Sequence, residues 1–339
     1  MKLTRLILHP DRLFPPDPAI RDIARRLHCE VRDLPIISPH GHTDPSWFAL
    51  DEPFANPAEL LIVPDHYVFR MLYSQGIPLE DLGIPRRDGG PVEADPRTIW
   101  RRFAESYHLF RGTPSRLWLD WVFAEVFGLD VRLEADCAEL YYDVIDAALK
   151  RPEFRPRALF ERFNIELIAT TENPLDPLDH HRAIRESGWG GRVITAYRPD
   201  IVVDPDQPGF ATNVRRLGEL TGEDVSDYAG YLRAHEKRRG FFREAGATST
   251  DHGHPTAFTA DLSSGDAAAL YGRVIAGRAS AADAELFRGQ MLTEMARMSL
   301  DDGMVMQIHP GAFRNHNAPL LERFGRDKGA DIPVATEYV

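Results

Sequence analysis

The sequence predicts an α/β protein built on a parallel sheet of the barrel kind, and three observations carry this. Short apolar runs alternate with amphipathic stretches along the second half of the chain, the pattern of βαβ units. Each run ends in polar, reactive residues, and sites in parallel α/β folds gather at the carboxyl ends of strands. Roughly 120 residues separate the first run from the second, whereas a βαβ unit needs about 30, so a helical insertion is expected after strand 1.

Taken in order, Asp22 to Asp33 reads as a helix with apolar Ile23, Leu27 and Val31. Leu34 to Ile37 reads as a short buried strand and runs into Ser38-Pro39-His40-Gly41-His42. From about 45 to 160 the pattern is helical. Asp65 is placed to cap a helix on which Val68, Met71 and Leu72 share a face, and 97–110, 115–127 and 136–150 are helical and rich in aromatics. Four further strands follow, at Ile165–Thr171, Arg192–Arg198, Gly246–Asp251 and Met304–His309, with helices such as Leu178–Glu186 and Ala281–Met298 between them. Residues 1–44 and 161–339 are therefore expected to form the barrel, and 45–160 the insertion.

Composition narrows the class. Of 339 residues, 43% are hydrophobic and 27% charged, as in ordinary globular proteins. Apolar runs such as Leu60-Leu61-Ile62-Val63 are too short to span a bilayer. Lys2 and Arg5 precede an apolar stretch broken by His9 and Pro10, which is not the pattern of a secretory signal. The net charge of −12 and the lack of a basic tract argue against nucleic acid and anionic membrane surfaces as partners. Two isolated cysteines, Cys29 and Cys137, exclude a disulfide framework and a cysteine zinc cluster. They read as reduced, buried residues of a cytoplasmic protein. Any metal falls to histidine and carboxylate.

Five constellations could carry chemistry. His40 and His42, two apart at a strand end, face the same way and can share a divalent metal. His66 and Tyr67 open a helix after Asp65, at the positive end of its dipole. Arg198 ends a strand stopped by Pro199, where its guanidinium can fork onto a carboxylate, or else pair with Asp200. Asp251 stands beside His252 and His254, a second H-x-H that competes for the metal. His309 ends the fifth strand. The other histidines read as structural or surface residues.

These segments resemble the uronate isomerases of the amidohydrolase superfamily. The likeness runs through Leu34-Pro35-Ile36-Ile37-Ser38-Pro39-His40-Gly41-His42-Thr43-Asp44-Pro45, Asp65-His66-Tyr67 with Arg70, and Thr170-Thr171-Glu172-Asn173-Pro174. It continues through Tyr197-Arg198-Pro199-Asp200, Thr250-Asp251-His252-Gly253 and Met306 to Asn315. The resemblance implies a distorted TIM-type (β/α)8 barrel with a helical insertion after strand 1. It implies interconversion of D-glucuronate with D-fructuronate and of D-galacturonate with D-tagaturonate. It implies a metal, usually zinc, on His40 and His42, with a strand-8 Asp as third ligand and an Arg two residues beyond it on the substrate. Arg198 takes the carboxylate-binding role, and His66, Tyr67, Asp251 and His309 the other catalytic positions. Five strands are counted where such a barrel has eight, and no Asp-x-Arg at a strand end is present, so the barrel is expected to be incomplete within these residues.

The expected chemistry is proton transfer from C2 to C1 of an open-chain hexuronate through a cis-enediol, with the base left open between Tyr67, a metal-bound hydroxide and the strand-8 Asp. A homo-oligomer is expected. Two other classes stand beside this one: a hydrolase or decarboxylase of the same superfamily, for which no strand-end Lys is evident, and a non-catalytic carbohydrate-binding or scaffold protein.

Overall fold

The computed structural model describes residues 4–328 and 331–338. Its contacts divide into two compact units.

The first unit comprises Met1–Pro35, Glu52–Arg162 and Phe313–Ile332. Helices dominate it, and prolines and caps set where they start. Asp65 caps His66–Ser74 by accepting from the amides of Tyr67 and Val68, as its position in the sequence predicts. Asp95 and Thr113 cap Pro96–Ser106 and Pro114–Trp121 in the same way, each with Pro at the first helical position. The core is aromatic. Trp100, Phe103, Tyr107, Phe110, Phe123 and Tyr141 are fully buried, and their rings meet mostly edge to face at 5.0–6.3 Å. Their polar ends are satisfied: Trp100 donates to the Ala138 carbonyl (3.0 Å) and Tyr107 to Asp120 (2.9 Å). The expected split put residues 1–44 with the barrel. Instead the first 35 residues group with these helices, because Leu6 and Arg132 exchange backbone bonds with Asp130 and Thr4.

The helix expected at 22–33 runs Pro18–Val31, but no residue of it is buried. Ile20, Ile23, Leu27 and Val31 form an exposed apolar stripe along it. Cys29 also lies on the surface rather than in a core, while Cys137 is buried as expected.

The second unit comprises Ile36–Asp51, Phe163–Ala312 and Pro333–Val339. It holds a parallel sheet of five strands: β1 (Ile36–Ser38), β2 (Ile165–Glu172), β3 (Arg192–Tyr197), β4 (Ser249–His252) and β5 (Val305–Ile308). The spatial order is the sequence order, with no reversal. A doubly wound sheet reverses at a switch point, whereas a barrel winds in one direction, so this is barrel-like winding. The sheet also curls. Strands β1 and β5 are its two edges, yet His40, just past β1, bonds to Gln307 within β5 at 2.7 Å. One expectation fails here: β1 is not buried, since Ile36 and Ile37 are 50% and 59% exposed. The strand lies at an edge, paired on one side only, and a run of apolar residues does not reveal which side of a sheet is covered.

Helices on the sheet's outer face supply the core. Tyr231, Tyr271, Phe242, Phe287, Met291 and Met295 are buried together, with Tyr231 and Tyr271 stacked at 4.8 Å. Arg239 is 1% exposed and is held by both oxygens of Asp302 (2.6 and 3.0 Å) and by Ser299. Among the described residues no helix is long and apolar enough to cross a membrane.

One tight approach in this unit is testable. Asp227 caps Tyr228–Glu244 by accepting from Gly230 N–H at 2.7 Å, and a Cβ on Gly230 would stand 1.7 Å from the Asp224 carbonyl oxygen. Gly230→Ala should therefore destabilise the protein by about 1–3 kcal/mol in urea unfolding, the cost of overpacking. An unchanged midpoint would mean the Asp224 turn yields without cost.

Candidate active site

Strand alternation sorts the polar residues of the second unit onto two faces. Asp251 and Gln307 are direct register partners on β4 and β5, and Thr171 occupies the same face near the end of β2. This face meets the segment after β1 that carries His40 and His42.

Asp251 is its centre. The side chain is fully buried, and Oδ1 accepts a short hydrogen bond from His309 Nε2. His40 Nδ1 lies 3.7 Å from the same oxygen, and Arg198 Nη1 lies 3.3 Å from Oδ2. Burial pushes the Asp251 carboxyl up, but the His309 bond and the Arg198 charge outweigh it and hold the group below its ordinary value. Asp251 is therefore ionised at neutral pH. An ionised carboxylate only accepts, so His309 carries a proton on Nε2, and in the neutral ring the lone pair is on Nδ1.

Arg198, 24% exposed, also donates Nε–H to Asp200 Oδ2 at 2.9 Å. The salt bridge with Asp200 and the position at the mouth of the sheet are both realised. Gly253 N–H donates to the other Asp200 oxygen at 3.1 Å. A Cβ on Gly253 would lie 2.7 Å from Arg198 Nη2, 2.7 Å from Asp200 Oδ2 and 3.4 Å from His309. A side chain in the turn after β4 would thus have to push the ends of Arg198 and Asp200 aside.

One donor atom from each of His40, Asp251 and His309 lies within 4.8 Å of the others, a span one cation can bridge. Asp251 Oδ2 is buried and accepts no hydrogen bond, with the Arg198 guanidinium 3.3 Å away as its charge partner, so a lone pair there is open to a cation. The donor set of imidazole and carboxylate suits zinc. His42 lies beside this group, its ring 5.2 Å from that of His40. Burial and the charges of Arg198 and His40 lower its pKa, which keeps it neutral, as a ligand must be. The competing pair does not join. His252 and His254 are 0% and 3% exposed and lie on the far side of the strand, where His252 Nε2 meets Thr250 Oγ1 at 2.8 Å.

His66 and Tyr67 lie in the first unit, at the first two positions of the His66–Ser74 helix, their rings 4.4 Å apart. Tyr67 is half exposed, with Arg70 over its ring at 5.1 Å.

Two further groups had no role assigned from the sequence. Gln307 and Thr171 each hold one of the histidines: Gln307 Oε1 is 2.7 Å from His40 Nδ1, and Thr171 Oγ1 is 2.8 Å from His42 Nδ1. Both partnerships join residues more than a hundred positions apart, which no local spacing announces. On the opposite face of β2, Thr170 joins His181 Nε2 (2.8 Å) and Glu172 (2.9 Å), and Thr195 also donates to Glu172. Burial raises the Glu172 pKa to about 7 against the pull of the two hydroxyls, and lowers that of His181 to about 4.

The sign of the Glu172 effect follows from linkage. A folded pKa raised from 4.5 to about 7 means a contribution fully present below pH 4.5 and lost as pH rises through 7. Glu172→Gln stays neutral throughout. Calorimetry from pH 4.5 to 8 should show wild type losing up to about 3 kcal/mol relative to the variant. Parallel curves would contradict the buried, protonated carboxyl.

Comparison with known proteins gives a consistent outcome. The glucuronate isomerase family model matches residues 19–338. A uronate isomerase of Rhizorhabdus wittichii is 68% identical over 339 residues, all of this chain and 72% of that protein. One from Xanthomonas campestris pv. campestris is 66% identical over 336 residues, 99% of this chain and 71% of that protein. The crystal structure of glucuronate isomerase from Caulobacter crescentus superposes with a TM-score of 0.96 at 59% identity, covering 99% of this chain and 70% of that one. That of uronate isomerase from Thermotoga maritima does so at 0.88 and 26%, covering 98% and 70%. With identity this high along nearly every residue, and the sheet that bears the site shared as well, the chain belongs to the glucuronate isomerase family.

Proposed function

We propose that the protein is a uronate isomerase, an aldose–ketose isomerase that interconverts D-glucuronate with D-fructuronate and D-galacturonate with D-tagaturonate. The observation that carries the reading is the convergence of Arg198, Asp251, His309 and His40 at the carboxyl ends of β1, β3, β4 and β5. In the same reading the sheet is part of a distorted (β/α)8 barrel and the helices between β1 and β2 are its insertion, supported by the one-directional strand order. A cytoplasmic location, read from the two isolated cysteines, and a homo-oligomeric state belong to the same reading.

The reaction removes a proton from C2 and returns one to C1, while the O2 proton passes to O1, most simply through a cis-enediol. Arg198 holds the remote carboxylate of the open-chain substrate at the mouth of the sheet. The Asp251 carboxylate orients the His309 ring and leaves Nδ1 as the lone-pair nitrogen, so His309 is our candidate for the group that takes the C2 proton and returns it at C1. C1 and C2 are adjacent, and one ring nitrogen reaches both. Asp251 stabilises the imidazolium formed in between. His40 and His42, with Asp251 beside them, would hold a divalent metal, most simply zinc; when bound it would polarise the substrate oxygens and stabilise enediolate charge. The family resemblance also implies catalytic roles for His66 and Tyr67, which open their helix.

The reading is tested by incubating the protein with D-glucuronate, D-galacturonate and small amides, with zinc present. Ketose formation from a uronate is expected; amide cleavage without isomerisation would move the protein to the hydrolases. Arg198→Lys keeps the charge but loses the planar fork, and should lower kcat/KM by about 10–150-fold, the worth of one charge-assisted pairing. Wild-type kinetics in that variant would remove Arg198 from substrate binding. Elemental analysis should find one equivalent of divalent metal, lost when His40 and His42 are both replaced by Ala; metal retained by the double variant would place the ligands elsewhere.

A further inference from the structure

We propose that Gln307 and Thr171 are positioning residues that fix the tautomers of His40 and His42, so that both rings present an unprotonated Nε2 before any ligand arrives. This rests on the reading of His40 and His42 as metal-holding residues.

The argument follows from which groups can donate. Gln307 Nε2 lies 3.1 Å from the Pro39 carbonyl oxygen, which only accepts. That end of the side chain is therefore the amide NH2, and the end at 2.7 Å from His40 Nδ1 is the carbonyl oxygen. A carbonyl cannot donate, so His40 carries its proton on Nδ1 and its lone pair on Nε2. The Pro39 contact locks the amide against a flip that would reverse this.

Thr171 reaches the same result by a different route. Its Oγ1 lies 3.3 Å from the Gly41 carbonyl and 2.8 Å from His42 Nδ1. The hydroxyl has one proton, and we assign it to the carbonyl, which can only accept. The oxygen then accepts from His42 Nδ1–H, which again leaves the lone pair on Nε2. Each partner also bonds the backbone beside the histidine it holds, Pro39 for His40 and Gly41 for His42, so ring orientation is set together with the tautomer.

The same chain offers an internal contrast. His252 and His254 have the same spacing, yet His252 meets a threonine hydroxyl through Nε2, and both His254 nitrogens are buried without a hydrogen-bond partner. Spacing alone does not prepare a pair of ligands; a partner on Nδ1 does. Losing such a partner elsewhere costs roughly 10–100-fold in metal affinity.

The test uses Thr171→Val, Thr171→Ser and Gln307→Leu with two readouts. The first is long-range nitrogen–proton NMR on metal-free protein labelled with 15N-histidine, at about pH 8 so that the rings are neutral. Signals are assigned with His40→Asn and His42→Asn. The second is Zn2+ affinity by competition with a chromophoric chelator. Wild type should show both rings protonated at Nδ1. Thr171→Val should populate the Nε2–H form of His42 and weaken Zn2+ binding about 10–100-fold, and Gln307→Leu should do the same at His40. Thr171→Ser keeps the hydroxyl and should restore wild-type behaviour. Wild-type rings protonated at Nε2 would overturn the proposal, as would equal losses in the Ser and Val variants, or no loss in either. If wild type binds no Zn2+ but shows the predicted tautomers and loses them in the variants, the positioning role stands and the metal reading falls. The Thr171 pair decides the matter by itself should Gln307→Leu not fold.

Discussion

The site depends on the curl of the sheet. Its two edge strands are remote in the hydrogen-bonded order, yet His40 beyond β1 meets Gln307 inside β5, and Gln307 also holds the Pro39 carbonyl. One side chain thus ties the two edges at the mouth. A flat sheet of five strands spaced at about 4.8 Å would hold those groups roughly 19 Å apart. Curl brings them into contact, and the same bend turns the Asp251 face into a concave surface on which imidazoles from β1 and β5 meet a carboxylate from β4.

A buried anion organises that surface. The chain is acidic overall, but Asp251 is surrounded by Arg198, His40 and His309, so the local field opposes the global one. Carboxylate burial is costly unless the charge is paired and hydrogen-bonded; here Arg198 supplies the charge and His309 the hydrogen bond, from the ends of two different strands. Asp200 in turn holds Arg198, so the guanidinium lies between two carboxylates, one fixed by strand β4 and one by the turn after β3. This arrangement sets the guanidinium plane before substrate enters.

Much of this was legible locally. The five strands fall where apolar runs end in polar residues, and Asp65 caps its helix as its spacing implies. His40, Arg198, Asp251 and His309 are recognisable because they stand at strand ends. What was not legible depends on distant pairing. Gln307 and Thr171 look like ordinary strand residues until the fold places them beside histidines over a hundred positions away. The exposure of Ile36 and Ile37 was hidden for the same reason: hydropathy reports what a residue prefers, not which neighbour covers it. His252 and His254 were indistinguishable from His40 and His42 by spacing, and only the alternation of β4 separated them.

The turn after β4 carries a last consequence, for how such a site can drift over generations. A Cβ at Gly253 would press on the charged ends of Arg198 and Asp200. A larger residue must shift those ends, so it is accommodated more readily once Arg198 or Asp200 has been replaced by a shorter residue. Order of mutation then matters: bulk at 253 is better tolerated after such a change than before it. A position with no side chain thereby ties what can be accepted at 253 to what stands at 198 and 200.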